Sequence, residues 1–217
     1  MLEELKEANE YIVSKIKEKD ELVLEMEKFA EENNVPIVTK EVAEYLKFIL
    51  NSGTFKSVLE VGTAIGYSGI LMGKEIEGKK GSTLTTIEID PERYELAKSN
   101  FAKADLKIDN LNLILGDATE VIENLDKNQK YDFIFIDASK GQYQKFFEDS
   151  YNLLSEDGIV FVDNIMFRGY LYKEYPKRFK TIVRKLDEFI DYLYANHNFV
   201  LLPFGDGIGL VRKGNKK

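Results

Sequence analysis

From Lys56 onward the chain alternates short apolar runs with stretches of helical character: SVLEV, TLTTIEI, LNLIL, YDFIFID, GIVFVD, FVLLP and IGLVR. Strands joined by helix-length segments return across a sheet through crossovers, so this rhythm predicts a seven-stranded, mainly parallel α/β sheet with helices on both faces. Only FGDG, Phe204 to Gly207, separates the last two runs. That is a hairpin-length connection, which predicts one antiparallel strand at the end of the sheet. Ahead of the alternating region, Leu2, Leu5, Ala8, Ile12 and Ile16 fall at helical spacing, and Leu22 to Ala30 repeats the pattern. Pro36 divides both from Val42, Leu46 and Ile49, so three helices precede the core. The expected organisation is one domain, with N-terminal helices over 1–52 packing on a core over 53–217. Asp90-Pro91 reads as a helix start, because Asp caps free amides and Pro fits the first turn. The GNKK tail reads as frayed.

Composition narrows the chemistry. At 217 residues, 44% hydrophobic and 31% charged, the chain can bury a full core. No apolar run approaches the roughly 20 residues that cross a bilayer, and the acidic start MLEELKEANE is unlike a secretion signal, so a cytoplasmic protein with no membrane partner is expected. With no cysteine and one histidine, disulfides, thiolate zinc, a cysteine nucleophile and histidine-rich metal sites are excluded. Any metal must be held by oxygen. A net charge of −8 argues against a generally basic nucleic-acid-binding surface, but leaves room for a local patch.

The stretch LEVGTAIGYS, Leu59 to Ser68, follows the first predicted strand, where open parallel sheets bind ligands. A dinucleotide fingerprint needs glycine two residues after Gly62, which is Ala64 here; a P-loop needs G-K-S/T, and this chain has Gly66-Tyr67-Ser68. Glu60, immediately before the loop, would repel a pyrophosphate but suits an ammonium or sulfonium group. Glu88 ends the second strand, where a carboxylate can accept both hydroxyls of a ribose. A ribose without phosphates and with positive charge nearby describes S-adenosylmethionine.

Asp137 ends the fourth predicted strand, and Asp163-Asn164 ends the fifth. Each Asp alone reads as a helix cap. Together they bring three oxygen ligands to one edge of the sheet, a hard-cation set suited to Mg²⁺, with Mn²⁺ or Ca²⁺ as alternatives. Lys140, three residues beyond Asp137, is close enough to share the site. An ammonium beside a divalent cation is expected to have a depressed pKa and to serve as a general base, giving Lys140 and Asp137 catalytic roles.

LEVGTAIGYS, TTIEID, GDA (Gly116 to Ala118), FIDASK, VDN and LLPFGDGIGLV occur in this order, and with them the chain resembles the cation-dependent O-methyltransferases related to caffeoyl-CoA and catechol methyltransferases. The resemblance runs from about Glu25 to Lys213. It implies a Rossmann-like class I methyltransferase fold. It further implies that Glu60, Gly62, Ser68 and Glu88 contact S-adenosylmethionine, that Asp117 and Ala118 of the Gly116 motif border the adenine, and that Asp137, Asp163 and Asn164 hold the cation. NNVPIV and the form GTAIGYS are most similar to bacterial tRNA 5-hydroxyuridine methyltransferases, which implies that Val38 also lies against the cofactor. Ser139 stands where the family's D-A-D-K has its second Asp; the metal ligands are unaffected, while that acid's place in the substrate pocket changes.

The acceptor must be decided elsewhere. Arg168, Lys173, Lys177, Arg178, Lys180, Arg184 and Lys185 face a single acid, Glu174, over Arg168 to Lys185, interleaved with Tyr170, Tyr172 and Tyr175. For Lys180 to Lys185 a solvated amphipathic helix is expected. Arg168, Lys173, Lys177 and Arg178 suit an anionic partner, with rings for an unpaired base and cations for phosphates. The expected reaction is therefore methylation of wobble 5-hydroxyuridine in tRNA to 5-methoxyuridine; the alternative is a small catechol, phenol or caffeoyl-CoA-like acceptor. Both acceptor classes present two adjacent oxygens. A third reading is a non-catalytic nucleotide-binding module. The apolar N-terminal helices suit a homodimer.

Overall fold

A computed structural model describes residues 2–214, with side chains from Lys6 onward; the side chains of Leu2 and Leu5 and the last three residues of the GNKK tail lie outside what is described. Three helices come first: α1 (Leu2–Lys15), α2 (Glu21–Asn33) and α3 (Lys40–Ser52). The alternating region follows as β1 (Ser57–Val61), α4 (Tyr67–Ile76), β2 (Thr83–Glu88), α5 (Pro91–Ala104), β3 (Asn110–Leu115), α6 (Ala118–Asn124) and β4 (Tyr131–Ile136). It continues as α7 (Tyr143–Tyr151), β5 (Leu154–Val162), α8 (Lys180–Asn196), β6 (Asn198–Leu202) and β7 (Ile208–Arg212). Helix starts are chemically marked. Asp20 accepts from the Val23 amide, and Asp90 from the amides of Glu92 and Arg93 with Pro91 at the first helical position, each cap contributing about 1 kcal/mol.

The sheet order is β3-β2-β1-β4-β5-β7-β6, with parallel pairing from β3 through β5. β7 is antiparallel to both β5 and β6. The expected antiparallel strand is present, but it lies one place in from the edge, which β6 occupies. Burial explains the order: Ile208, Gly209 and Val211 of β7 are buried, whereas β6 is half-exposed along its length and tolerates the open edge.

Strand alternation sends side chains to two cores. Val58, Phe133, Phe135 and Phe161 pack on one face against α2 to α5, and Leu59, Val61, Ile134, Ile136, Val160 and Val162 pack on the other against α6, α7 and α8. α2 and α3 lie within the first core: Val23, Leu46 and Leu50 are at most 1% exposed, each such aliphatic side chain contributing about 1.5–3 kcal/mol. Among its described residues α1 buries none, and it meets α3 through Asn9 Nδ2, which donates to Glu41 Oε1 at 3.1 Å. The order reverses between β1 and β4, whose carboxyl ends open the crevice where doubly wound sheets place ligands. Among the described residues no helix is long and apolar enough to cross a membrane.

Candidate active site

At the reversal the chain turns sharply after β1. Gly62 has φ +100°, and a Cβ there would stand 2.5 Å from the Asp137 carbonyl oxygen, so only glycine lets the loop pass the end of β4. Ala64 also lies in the left-handed region, at φ 48°. Its amide donates to Glu88 Oε2 at 2.7 Å, which offsets a conformation costing an L-residue roughly 1–2 kcal/mol. Gly66, at φ +90°, then opens α4.

The loop walls a cavity of about 460 Å³. Val38, Gly62, Ser68, Glu88, Gly116, Asp117, Ala118, Asp137, Lys140 and Asn164 line it together. Glu60 and Asp163, at 0% and 2% exposure, lie behind its wall. Glu60 is bonded beneath the loop, its two oxygens accepting from Ser68 Oγ and Thr86 Oγ1, each at 2.5 Å. Burial, and then the charges of Asp137 and Glu88, push its carboxyl up to about 7 against the pull of those two hydroxyls. Glu88, expected to meet a ribose, already accepts backbone amides from Ala64, Ile89 and Asp90. Asp117 caps α6 through Thr119, whose hydrogen bonds hold its carboxyl below the usual range.

β4 and β5 deliver the second cluster. Asn164, held at φ 55°, points its amide to 3.5 Å from Asp137 Oδ1, and Asp163 Oδ1 accepts the Asn164 backbone amide. Burial and then the Asp137 charge push the Asp163 carboxyl up to about 7; burial also raises Asp137, with Lys140 opposing. Asp163 is buried, Asp137 is half-buried at the cavity wall, and the charge of Asp137 bears on Asp163, an arrangement that a cation between them would relieve. Among the described residues no group of three or more His, Cys, Asp or Glu side chains is placed to hold a metal, so this centre is two carboxylates and one amide. That set fits Mg²⁺, which commonly takes one or two carboxylates and leaves positions for water and substrate oxygens. Lys140 Nζ stands 3.9 Å from Asp137 Oδ1 and donates to Tyr143 Oη at 3.3 Å; Tyr143 in turn donates to the Asp163 carbonyl at 2.8 Å.

Sequence reasoning missed Ile37, Thr63, Tyr67, Ile89, Arg93 and Gln142, all of which line the cavity. Thr63 and Tyr67 stood inside the loop motif. Ile89 carried a local signal in being an aliphatic residue directly after a strand-end acid; it is 65% exposed at the cavity rim. Arg93 and Gln142 carried none.

The basic segment lies on the same edge. Asp206, in the β6–β7 turn, accepts the Arg168 amide at 2.6 Å. An open cavity of about 580 Å³ is lined by Tyr170, Tyr172, Lys173, Tyr175, Lys180 and Arg184 among others. Tyr170 is committed to stacking on Phe179 at 5.5 Å, whereas Tyr172 and Tyr175 are exposed. Arg184 pairs with Glu188, and Lys185 Nζ donates to the Gly141 carbonyl, as a structural helix requires. The latter contact sets the start of α8 beside the turn that carries Lys140.

A family model described as O-methyltransferase matches residues 13–214. The caffeoyl-CoA O-methyltransferase of Medicago sativa is 26% identical over 193 residues, spanning 83% of this chain and 76% of that protein. The crystal structure of a provisionally named caffeoyl-CoA O-methyltransferase from Staphylococcus aureus is 29% identical, with a TM-score of 0.85 over 95% of this chain and 99% of that one. An O-methyltransferase from Bacillus cereus, solved in complex with SAH, shares the fold at 23% identity and a TM-score of 0.82, covering 98% of this chain and 100% of that one.

Proposed function

The chain belongs to this O-methyltransferase family as an S-adenosylmethionine-dependent enzyme, and from that premise we propose that it methylates one of two adjacent oxygens on a small aromatic acceptor, with a divalent cation held by Asp137, Asp163 and Asn164. The observation that carries the reading is the meeting of two carboxylates, Asp163 buried and Asp137 half-buried, with the Asn164 amide at the glycine-loop cavity, which Asp137 and Asn164 both line. S-adenosylmethionine supplies an electrophilic methyl group, and a divalent cation lowers the pKa of the acceptor hydroxyl and orients its neighbouring oxygen. The chain's own residues do the rest. Glu88 holds the ribose, Val38, Gly116, Asp117 and Ala118 enclose the adenosine end, and Ser68 closes the loop over the amino-acid end. As the neutral amine, Lys140 Nζ is the group placed to accept the hydroxyl proton. A caffeoyl-CoA methyltransferase among the relatives supports the small-molecule acceptor.

One observation favours a second reading, 5-hydroxyuridine in tRNA: Tyr172, Lys173 and Tyr175 line an open groove, and Lys177 and Arg178 are exposed in the segment that follows. The test is methyl transfer to a catechol and, in parallel, to bulk tRNA lacking the modification. Transfer is expected to vanish in excess EDTA and to return with Mg²⁺ or Mn²⁺. Asn164→Ala should lose turnover by at least about 100-fold while SAH affinity stays within a few-fold, because it removes acceptor activation and leaves the ribose contacts alone. Full activity with the metal verifiably removed would overturn the cation's role.

A further inference from the structure

We infer that Glu60 is a positioning residue for the cofactor: its buried carboxylate holds the glycine loop from beneath through two hydroxyl arms, and cofactor binding weakens when that carboxylate takes up a proton. The inference rests on the assignment of the cavity to S-adenosylmethionine.

The geometry is a bracket. One arm is Ser68 Oγ, donating to Glu60 Oε1 at 2.5 Å from the first turn of α4. The other runs from Glu60 Oε2 to Thr86 Oγ1 at 2.5 Å, and from Thr86 to the Thr63 hydroxyl. Thr63 and Ser68 line the cavity near the two ends of the loop, while Glu60 and Thr86 do not reach it. A single carboxylate below therefore ties together both ends of the loop above. α4 makes room for it: a Cβ at Gly69 would stand 2.7 Å from Glu60 Oε2 and 2.8 Å from the Phe101 ring.

The electrostatics make the bracket sensitive to protons. The charged groups facing Glu60 are Asp137 at the end of β4 and Glu88 at the end of β2, both acids; α4 contributes the Ser68 hydroxyl, β2 the Thr86 hydroxyl and α5 the apolar Phe101. Burial leads the rise of its carboxyl to about 7. An ionised carboxylate can only accept, and the Ser68 and Thr86 hydroxyls are placed to donate to its two oxygens. A protonated acid must itself donate, so one arm loses its acceptor and turns. A cationic cofactor above the loop favours the ionised form, so binding expels the proton and affinity rises with pH through the region near 7, by no more than about tenfold per pH unit for one proton.

Calorimetric titration of the whole chain with S-adenosylmethionine and SAH, in EDTA and from about pH 5.5 to about pH 8.5, reads this directly. The unmodified chain is expected to gain affinity for S-adenosylmethionine by several-fold across that range. Glu60→Gln should lose that gain and stay at or below the low-pH affinity of the unmodified chain. Thr86→Val keeps the acid but removes one donor to the carboxylate, so its midpoint should move to higher pH; this variant decides the matter if Glu60→Gln does not fold. Asp137 and Asp163, the latter also raised to about 7, remain in all three proteins; Thr86→Val leaves every charge in place, so a moved midpoint in that variant belongs to Glu60. An identical pH profile in Glu60→Gln, or an unmoved midpoint in Thr86→Val, overturns the inference. Absence of SAH binding to the unmodified chain at every pH would overturn the cofactor assignment as well.

Discussion

Glu88 shows how much one carboxylate does here. Its Oε2 fixes the left-handed Ala64 and its Oε1 gathers the amides of Ile89 and Asp90, so the group proposed as a ribose acceptor also shapes the glycine loop. Removing it costs both functions. Glu88→Ala should weaken S-adenosylmethionine and SAH alike by roughly 10- to 150-fold, the equivalent of losing about 1.5–3 kcal/mol of hydrogen bonding to a charged acceptor. Equal affinity for the mutant and the unmodified chain in a calorimetric titration would place the ribose elsewhere. Residues such as Asp90, whose role is decided by the two amides that follow Pro91, were legible in sequence. Ala64 was not. Its alanine argued correctly against a glycine fingerprint, yet its backbone takes a glycine-like conformation, because Glu88, 24 residues away, supplies the bond that holds it.

Among the elements, β5 and α8 frame the basic segment. The connection between them carries three non-glycine residues in the left-handed region, Asn164, Phe167 and Arg168, a concentration of strain typical of functional loops. The far end of α8 is built differently. His197 follows its last turn, with ring centroids 5.0 Å from Phe147, 4.8 Å from Tyr151 and 5.5 Å from Tyr192. Burial, and then the Lys213 charge, hold its pKa below the ordinary value of 6.5. The folded chain therefore prefers the neutral ring, while the unfolded chain protonates at the ordinary value. The stability this ring contributes is present above pH 6.5 and is lost as pH falls through that value. Thermal melts should show His197→Phe losing less stability than the unmodified chain between about pH 7.5 and about pH 5.5. Equal losses would mean that the ring cluster does not sense the proton.

For the molecule as a whole, the distribution of charge matters more than its sum. A chain of net charge −8 places Lys173, Lys177 and Arg178 on the exposed lip beside its active-site edge. If tRNA is an acceptor, Lys177→Ala with Arg178→Ala should raise its apparent KM and flatten its salt dependence by about one unit of slope per lost phosphate contact, while a catechol is methylated as before. Normal tRNA methylation across a salt series would leave these cations as solvated surface; a loss with both acceptors, together with a lower melting temperature, would mark damage to the fold. The sequence by itself determined the seven strands, the three leading helices and the glycine loop, because each is written in periodicity, capping and turn chemistry within a few residues. It also brought Asp137 and Asn164 to one cavity, since residues that end neighbouring parallel strands must share an edge. Only the tertiary structure decided that β7 lies inside β6, because strand order depends on which surface each run can bury. It alone set Glu60 beneath the loop instead of within the cavity wall, because the direction of a strand's side chain is resolved by what packs on either face. It separated Tyr170, spent on Phe179, from Tyr172 and Tyr175, which face solvent, because that choice belongs to neighbours distant in the chain.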